Sequence, residues 1–194
     1  MIAFPVQGTV MSNTAFSLAH AVRNVPFDVD IVFRKGCDIV GSRTWLVKKA
    51  QEINATHIMF IDHDMYFPPV KMEDGRTISP IQALIERDKD IIGAPYNFRQ
   101  LPKKSTAHAL IEGSEKENDI YRVADMGTGF LLIKTSVFWK RGGAENEWFM
   151  FGRGEDGELI FGEDAWFCRQ AIKRGFDVWA DPTLGVGHIG EYTY

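Results

Sequence analysis

Three short strings in the sequence carry residue types that could bind a metal ion or move a proton. They are Asp62-His63-Asp64, Glu163-Asp164 and His188. Two carboxylates spaced i, i+2 can converge on one divalent cation, because Mg²⁺ takes one or two protein carboxylates and leaves its other positions to water and substrate phosphates. Asp62 and Asp64 are therefore candidate metal ligands, although a solvated polar strand end explains the same string.

Glu163 and Asp164 stand at the start of an amphipathic stretch that is typical of a helix. A carboxylate at this position could act as a general base that takes a proton from an attacking hydroxyl group. Acidic residues at a helix N-terminus also stabilise the helix dipole by about 0.3–1 kcal/mol, so a structural role is the alternative.

His188 lies in the glycine-rich string GVGHIG, where the backbone can approach a ligand closely. Its imidazole could complete a site formed by Asp64 and phosphate oxygens. A nitrogen ligand suits Mn²⁺ better than Mg²⁺. The alternative is a structural histidine whose hydrogen bonds are satisfied within the fold.

Short apolar runs alternate with helix-like stretches, which predicts an α/β sheet with crossover helices. The run His57–Ile61 is almost continuously apolar and predicts a strand buried on both faces. Ligands bind at the carboxyl ends of strands in open α/β sheets, so Asp62-His63-Asp64 falls where a site is expected.

Residues 99–120 are polar and without periodicity, and we expect a surface excursion there. The other predicted strands cover 2–6, 29–33, 90–94, 176–180 and part of 126–134, and the predicted helices begin near 12, 38, 80, 135 and 164.

The composition favours one ordinary globular domain of 194 residues. The formal net charge of −4 offers no basic field for nucleic acid or an anionic membrane. No run approaches the roughly 20 apolar residues of a membrane helix, and the N-terminus does not resemble a secretory signal. Cys37 and Cys168 lack the spacing of a zinc site or a disulfide framework. We therefore expect a cytoplasmic protein.

The order of the motifs resembles that of GT-A fold glycosyltransferases, particularly family 2-like members. The strings are DHD after a strand, GTGF, GED before a helix, and a late histidine in GHIG. The resemblance covers Ile2 to Tyr194 and is closest to small single-domain enzymes of bacteria and their phages. It implies a Rossmann-like, mixed and mainly parallel sheet flanked by helices. It also implies one domain over 1–194, with a donor-binding part at about 1–98 and an acceptor and catalytic part at about 121–194.

The resemblance further implies roles for residues on the donor side. Asp64 and His188 would bind Mn²⁺ or Mg²⁺, and Asp62 would contribute to the metal site or face the donor ribose. Arg43 would contact the nucleotide, although a solvated helix face is the alternative for this residue. Pro5 and Gln7 lie where the nucleobase is expected.

On the acceptor side, Asp164 matches the catalytic base and Glu163 an acceptor contact. Gly127, Thr128 and Gly129 match the acceptor-side loop, but a turn at the start of a strand explains the glycines equally well. Trp148 is one of several aromatic residues that could stack on a sugar ring, with core packing as the alternative.

These roles predict a metal-dependent glycosyltransferase that uses a nucleotide-sugar, UDP- or GDP-linked, and a carbohydrate or other hydroxyl acceptor. Direct displacement by a base-activated hydroxyl would invert the anomeric centre. A sugar nucleotidyltransferase is one alternative, but MIAFPVQGTVMSN lacks the basic residue of its nucleotide loop. An aspartyl phosphatase lacks support because Met65 stands where a hydroxyl residue is needed. A non-catalytic carbohydrate-binding protein of the same fold is a further alternative.

Overall fold

A mixed sheet of eight strands forms the centre of the molecule. The computed structural model describes residues 1–23, 25–72, 74–100, 102–110, 117, 119–139 and 148–190. In chain order, the strands are β1 Ile2–Val6, β2 Ile31–Lys35, β3 His57–Ile61, β4 Met65–Tyr66, β5 Val70–Lys71, β6 Thr77–Ile78, β7 Ile91–Gly93, β8 His108–Leu110, β9 Tyr121–Asp125, β10 Phe130–Lys134, β11 Gly152–Arg153, β12 Leu159–Phe161, β13 Val178–Ala180 and β14 Gly187–His188. The helices are α1 Ser12–Val22, α2 Ile39–Glu52, α3 Pro80–Glu86, α4 Ser136–Trp139 and α5 Glu163–Lys173.

The strand directions define a mixed, mainly parallel sheet. Its order is β2-β1-β3-β10-β7-β13-β9-β8, and the remaining described strands form three two-stranded ribbons. Strand β10 runs antiparallel to both neighbours, and β9 does the same, so the other six strands share one direction. The predicted α/β fold class, with one mainly parallel sheet flanked by helices in a single domain, is confirmed.

Strand β3 is buried on both faces, as its continuous apolar run predicts. Ile58 and Phe60 belong to one core cluster, together with apolar residues of α2 and α5. Met59 and Ile61 belong to a second cluster on the opposite face, together with residues of α1 and α3. The alternation follows from strand geometry, in which successive side chains point to opposite faces.

Local sequence signals set two of the helix ends. Ser79 caps α3, because its hydroxyl accepts a hydrogen bond from the amide of Ile81, and Pro80 follows in the first helical turn. Helix α5 ends before Gly175, whose φ of +80° is the left-handed conformation that favours glycine.

The prediction of an irregular excursion over residues 99–120 is wrong in part. His108–Leu110 forms β8, an edge strand that pairs with β9. An edge strand of three residues, His-Ala-Leu, is too short to carry a periodic signal, which is why the sequence did not indicate it. Residues 101, 111–116 and 118 of this segment lie outside the described residues. Within the described ranges, no helix has both the length and the apolar character needed to cross a membrane.

Candidate functional site

The antiparallel insertion of β10 brings the Asp62 string and the glycine loop together. Phe130 at the start of β10 is in register with Ile61 at the end of β3. The amide of Asp62 therefore donates a hydrogen bond to the carbonyl of Gly129 at 3.0 Å. The end of β3 and the loop before β10 consequently form one continuous edge.

Arg43 of α2 is the centre of a buried cluster of charges beneath this edge. Its side chain is 3% exposed. Nη2 donates to Asp62 Oδ1 at 3.2 Å, and Nε donates to Glu163 Oε1 at 3.3 Å. The guanidinium also lies over the ring of Phe60, with its carbon 5.3 Å from the ring centre. One side chain thus connects the end of β3 to the first residue of α5.

The groups around Arg43 keep its guanidinium positively charged. Burial by itself would lower its pKa, but the carboxylates of Asp62, Glu163 and Asp164 outweigh burial and raise it. Its Nη1 atom is buried and has no hydrogen-bond partner among the residues that the structure describes. The solvated helix face considered from the sequence is therefore wrong for Arg43, whereas a contact with a nucleotide stays a prediction.

Asp164 lies beside this cluster, in the first turn of α5. Its Oδ1 accepts a hydrogen bond from the amide of Ala165 at 2.7 Å. Burial, followed by repulsion from Glu163, raises the pKa of Asp164, and the nearby charge of Arg43 opposes the rise. A carboxylate with a raised pKa is a stronger proton acceptor, which suits a general base.

Asp64 and His188 meet a short distance along the same loop, because β14 pairs with β4 and sets His188 opposite Met65. His188 Nε2 lies 3.2 Å from Asp64 Oδ2, and the Asp64 side chain is 2% exposed. Burial by itself would raise the pKa of Asp64. Its hydrogen bond with His188 and the neighbouring charges, including Arg99, outweigh burial and lower that pKa.

The donor atoms of this pair suit a divalent cation. His188 Nδ1 lies 3.1 Å from the carbonyl oxygen of Asn97, which can only accept, so Nδ1 carries a proton. Nε2 and Asp64 Oδ2, 3.2 Å apart, are an imidazole nitrogen and a carboxylate oxygen that could both bind one divalent cation. A backbone carbonyl that fixes the other ring nitrogen is typical of metal-binding histidines.

A complete metal-binding cluster is not formed by protein side chains alone. Asp62 is turned to Arg43 and does not join Asp64 and His188. No group of three or more His, Cys, Asp or Glu side chains that could hold a metal occurs in the described part of the chain. Further ligands would have to come from water or substrate phosphates, as they commonly do for Mg²⁺.

Tyr96 connects the two halves of the site and was not predicted from the sequence. Its hydroxyl accepts a hydrogen bond from the amide of Gly129 at 2.9 Å, and its ring meets that of His188 edge to face at 5.3 Å. Burial, and then the charge of Asp62, raises the pKa of Tyr96. The hydroxyl therefore stays protonated.

Tyr96 also explains the glycines of the predicted acceptor loop. A Cβ atom at Gly127 or Gly129 would lie 2.4 or 2.5 Å from the Tyr96 hydroxyl oxygen. Thr128 between them is 1% exposed, and within the described part of the chain its buried hydroxyl has no hydrogen-bond partner. A Gly-Thr-Gly string and a tyrosine that precedes its second glycine by 33 positions give no usable sequence signal.

The other predicted site residues lie in different surroundings. Pro5 is buried within β1, opposite Arg34 of β2, and Gln7 is exposed just beyond the strand. Trp148 is 4% exposed and packs against Phe138 and Phe167. The core-packing alternative therefore describes Trp148, and we do not propose it as a sugar-stacking residue.

Comparison with known proteins finds structures with a similar fold. No protein-family model matches the sequence, and no curated protein is significantly similar to it. Its fold is similar to that of A197 from STIV, with a TM-score of 0.62 and 18% identity over 98% of this chain and 85% of that chain.

The fold is also similar to that of GalNAc-T7, solved with UDP, GalNAc and Mn²⁺. The TM-score is 0.62, with 12% identity over 98% of this chain and 43% of that chain. A weaker similarity, with a TM-score of 0.42, is to apo UDP-glucose pyrophosphorylase at 15% identity over 78% of this chain and 55% of that chain. The predicted GT-A, Rossmann-like fold is confirmed.

Proposed function

We propose that the protein is a metal-dependent glycosyltransferase that moves a sugar from a nucleotide-sugar to a hydroxyl acceptor. The observation that carries this proposal is the pairing of Asp64 with His188, 3.2 Å apart, on the loop that also carries Asp62 of the Arg43 cluster. A facing carboxylate and imidazole suit a cation that also binds phosphate oxygens. The similarity to GalNAc-T7 supports a UDP-sugar donor, and a GDP-sugar is the second donor to test.

The donor side of the proposed site consists of residues from about 1–98 together with His188. Asp64 and His188 would hold Mn²⁺ or Mg²⁺, which would neutralise charge on the departing nucleoside diphosphate. Asp62, held by Arg43, would face the donor ribose. Pro5 and Gln7 at the end of β1 would lie near the nucleobase.

The proposed acceptor and catalytic part is about 121–194. The Asp164 carboxylate would take the proton of the acceptor hydroxyl as that oxygen attacks the anomeric carbon. Attack from the face opposite the leaving diphosphate inverts the anomeric configuration. Glu163 and the loop Gly127-Thr128-Gly129 would border the acceptor, where the unpartnered Thr128 hydroxyl could accept or donate a hydrogen bond.

The proposal is tested by following the leaving group with UDP- and GDP-sugars in the presence of Mn²⁺ and a panel of sugar acceptors. Release of nucleoside diphosphate with formation of a glycoside is expected from the wild type. Asp164→Asn should bind the donor as the wild type does but transfer at least about 100-fold more slowly. Pyrophosphate release from a nucleoside triphosphate would indicate a nucleotidyltransferase instead. Donor binding without turnover by any acceptor would indicate a carbohydrate-binding role.

A further inference from the structure

Arg99 places a positive charge beside the carboxylate of Asp64, which is a proposed ligand of the metal ion. Its Nη1 atom lies 3.0 Å from Asp64 Oδ2, the same oxygen that faces His188 Nε2 at 3.2 Å. The Arg99 side chain is 49% exposed, whereas that of Asp64 is 2% exposed. The carboxylate is therefore fixed in the protein interior, and the guanidinium reaches it from the solvent side.

The backbone around Arg99 holds it in this position. The carbonyl of neighbouring Asn97 fixes His188 Nδ1, and Asn97 forms a bridge with Ser105 that closes the loop carrying Arg99. The stem of Arg99 lies against Gly190, where an added Cβ would be 3.3 Å from the Arg99 Cδ atom. The contact with Asp64 is thus supported by two neighbouring contacts, one of Asn97 with His188 and one of the Arg99 stem with Gly190.

The charges explain why the contact exists. A buried carboxylate without a compensating charge is costly, so Asp64 needs a cation when no metal ion is bound. A divalent cation binds a carboxylate oxygen at about 2.1 Å. A guanidinium nitrogen 3.0 Å from the same oxygen would then lie beside a doubly charged ion, and the two cations would repel each other.

We propose that Arg99 is a competing internal cation, which neutralises Asp64 in the metal-free protein and leaves it when a divalent cation binds. This inference rests on the proposed function, because it assigns the metal ion to Asp64 and His188. The metal ion therefore displaces an existing ion pair, and Arg99 lowers the affinity for the free ion. The released guanidinium remains on the loop beside the proposed donor site.

The test is Mn²⁺ binding to the whole chain without nucleotide, measured by calorimetry on the wild type and on Arg99→Ala, Arg99→Lys and Arg76→Ala. Arg99→Ala should bind Mn²⁺ roughly two- to fivefold more tightly, the range expected for loss of one competing ion pair. Arg99→Lys should lie between it and the wild type, because an ammonium group keeps the charge without the planar fork. Arg76 is a matched control, since it is 53% exposed and pairs with Asp74 on another surface. Arg76→Ala should bind as the wild type does.

Equal or weaker Mn²⁺ binding by Arg99→Ala would overturn the inference while leaving the proposed function in place. If binding of the free ion is too weak for calorimetry, the Mn²⁺ concentration that half-saturates UDP binding supplies the same comparison. Failure of every variant to bind Mn²⁺, with or without UDP, would instead contradict the metal-dependent function itself.

Discussion

Arg43 Nε lies 3.3 Å from Glu163 Oε1, so a side chain of α2 is bound to the first residue of α5. The same guanidinium holds Asp62 at the end of β3. A donor-side carboxylate and the helix that carries the proposed base are therefore fixed relative to each other by one buried cation. The contact gives Arg43 a positioning role that its place in a basic helix sequence does not reveal.

Replacement of Arg43 by Met should destabilise the fold by about 2–4 kcal/mol. Removing one partner of a fully buried ion pair costs about 3–5 kcal/mol, and the 28% exposure of Asp62 reduces that figure. Denaturant unfolding measures the change. The exposed pair of Lys49 with Glu52 is the control, because Lys49→Ala should cost less than about 1 kcal/mol. Similar losses for the two variants would argue against a buried cluster.

Asp164 should make the fold less stable as the pH rises. Burial raises its folded-state pKa above the ordinary value of 3.8, so the unfolded chain ionises first and stability is lost between the unfolded and the folded pKa. Asp164→Asn should therefore unfold at a higher denaturant concentration than the wild type at neutral pH. The difference should vanish well below pH 3.8, where both states of the wild type are protonated.

The exposed residue Asp28 offers a control for this pH dependence. Asp28→Asn removes one carboxylate from the surface, so it controls for loss of a charge without a change at Asp164. A profile for Asp164→Asn that runs parallel to the wild type across this pH range would show that Asp164 is not perturbed.

Tyr96 and Gly129 should be energetically coupled. Tyr96→Phe leaves the Gly129 amide without its acceptor, at a cost of about 1–3 kcal/mol. Gly129→Ala should also destabilise, because its Cβ would lie 2.5 Å from the Tyr96 hydroxyl oxygen. In the double variant that contact disappears, so the combined loss should be smaller than the sum of the single losses.

Gly185 supplies the comparison for this cycle, since nothing lies within 4 Å of a Cβ added there. Gly185→Ala should change stability little, alone or combined with Tyr96→Phe. If the losses of unfolding free energy from Tyr96→Phe and Gly129→Ala simply add, the Tyr96 hydroxyl is not the reason why position 129 requires glycine.

Thr128→Val should have separate effects on the stability of the fold and on binding of the acceptor. The buried Thr128 hydroxyl has no partner in the described ranges of the chain, so its removal should raise the unfolding free energy by about 1–2 kcal/mol. If the hydroxyl binds the acceptor, the same variant should raise the acceptor KM, and Thr128→Ser should restore it. A stabilised Thr128→Val with wild-type acceptor kinetics would remove Thr128 from the proposed acceptor site.

The sequence was most informative where a pattern is local. The apolar run of β3 predicts both its bounds and its burial on two faces, and Gly175 correctly ends α5. The Asp62-His63-Asp64 string falls at the carboxyl end of β3 as predicted. These features depend on neighbouring residues, so one stretch of sequence contains the necessary information.

Long-range contacts were beyond the reach of sequence reasoning. The pairing of β14 with β4 brings His188 to Asp64 across 124 positions, and no local pattern specifies that register. Tyr96 and Arg99 follow a short strand in a polar stretch with no motif, yet one contacts Gly129 and the other Asp64. The burial of Arg43 likewise depends on α5, which packs on the same face of the sheet as α2.

The most direct test of the account is calorimetric titration of UDP- and GDP-sugars into the wild type and Asp64→Asn, each with Mn²⁺ and with a chelator. The account predicts that one donor binds the wild type with Mn²⁺, and that binding weakens by at least about tenfold when Mn²⁺ is removed or Asp64 is replaced. Binding that is the same in all four conditions, or no binding of either donor with Mn²⁺, would contradict the account.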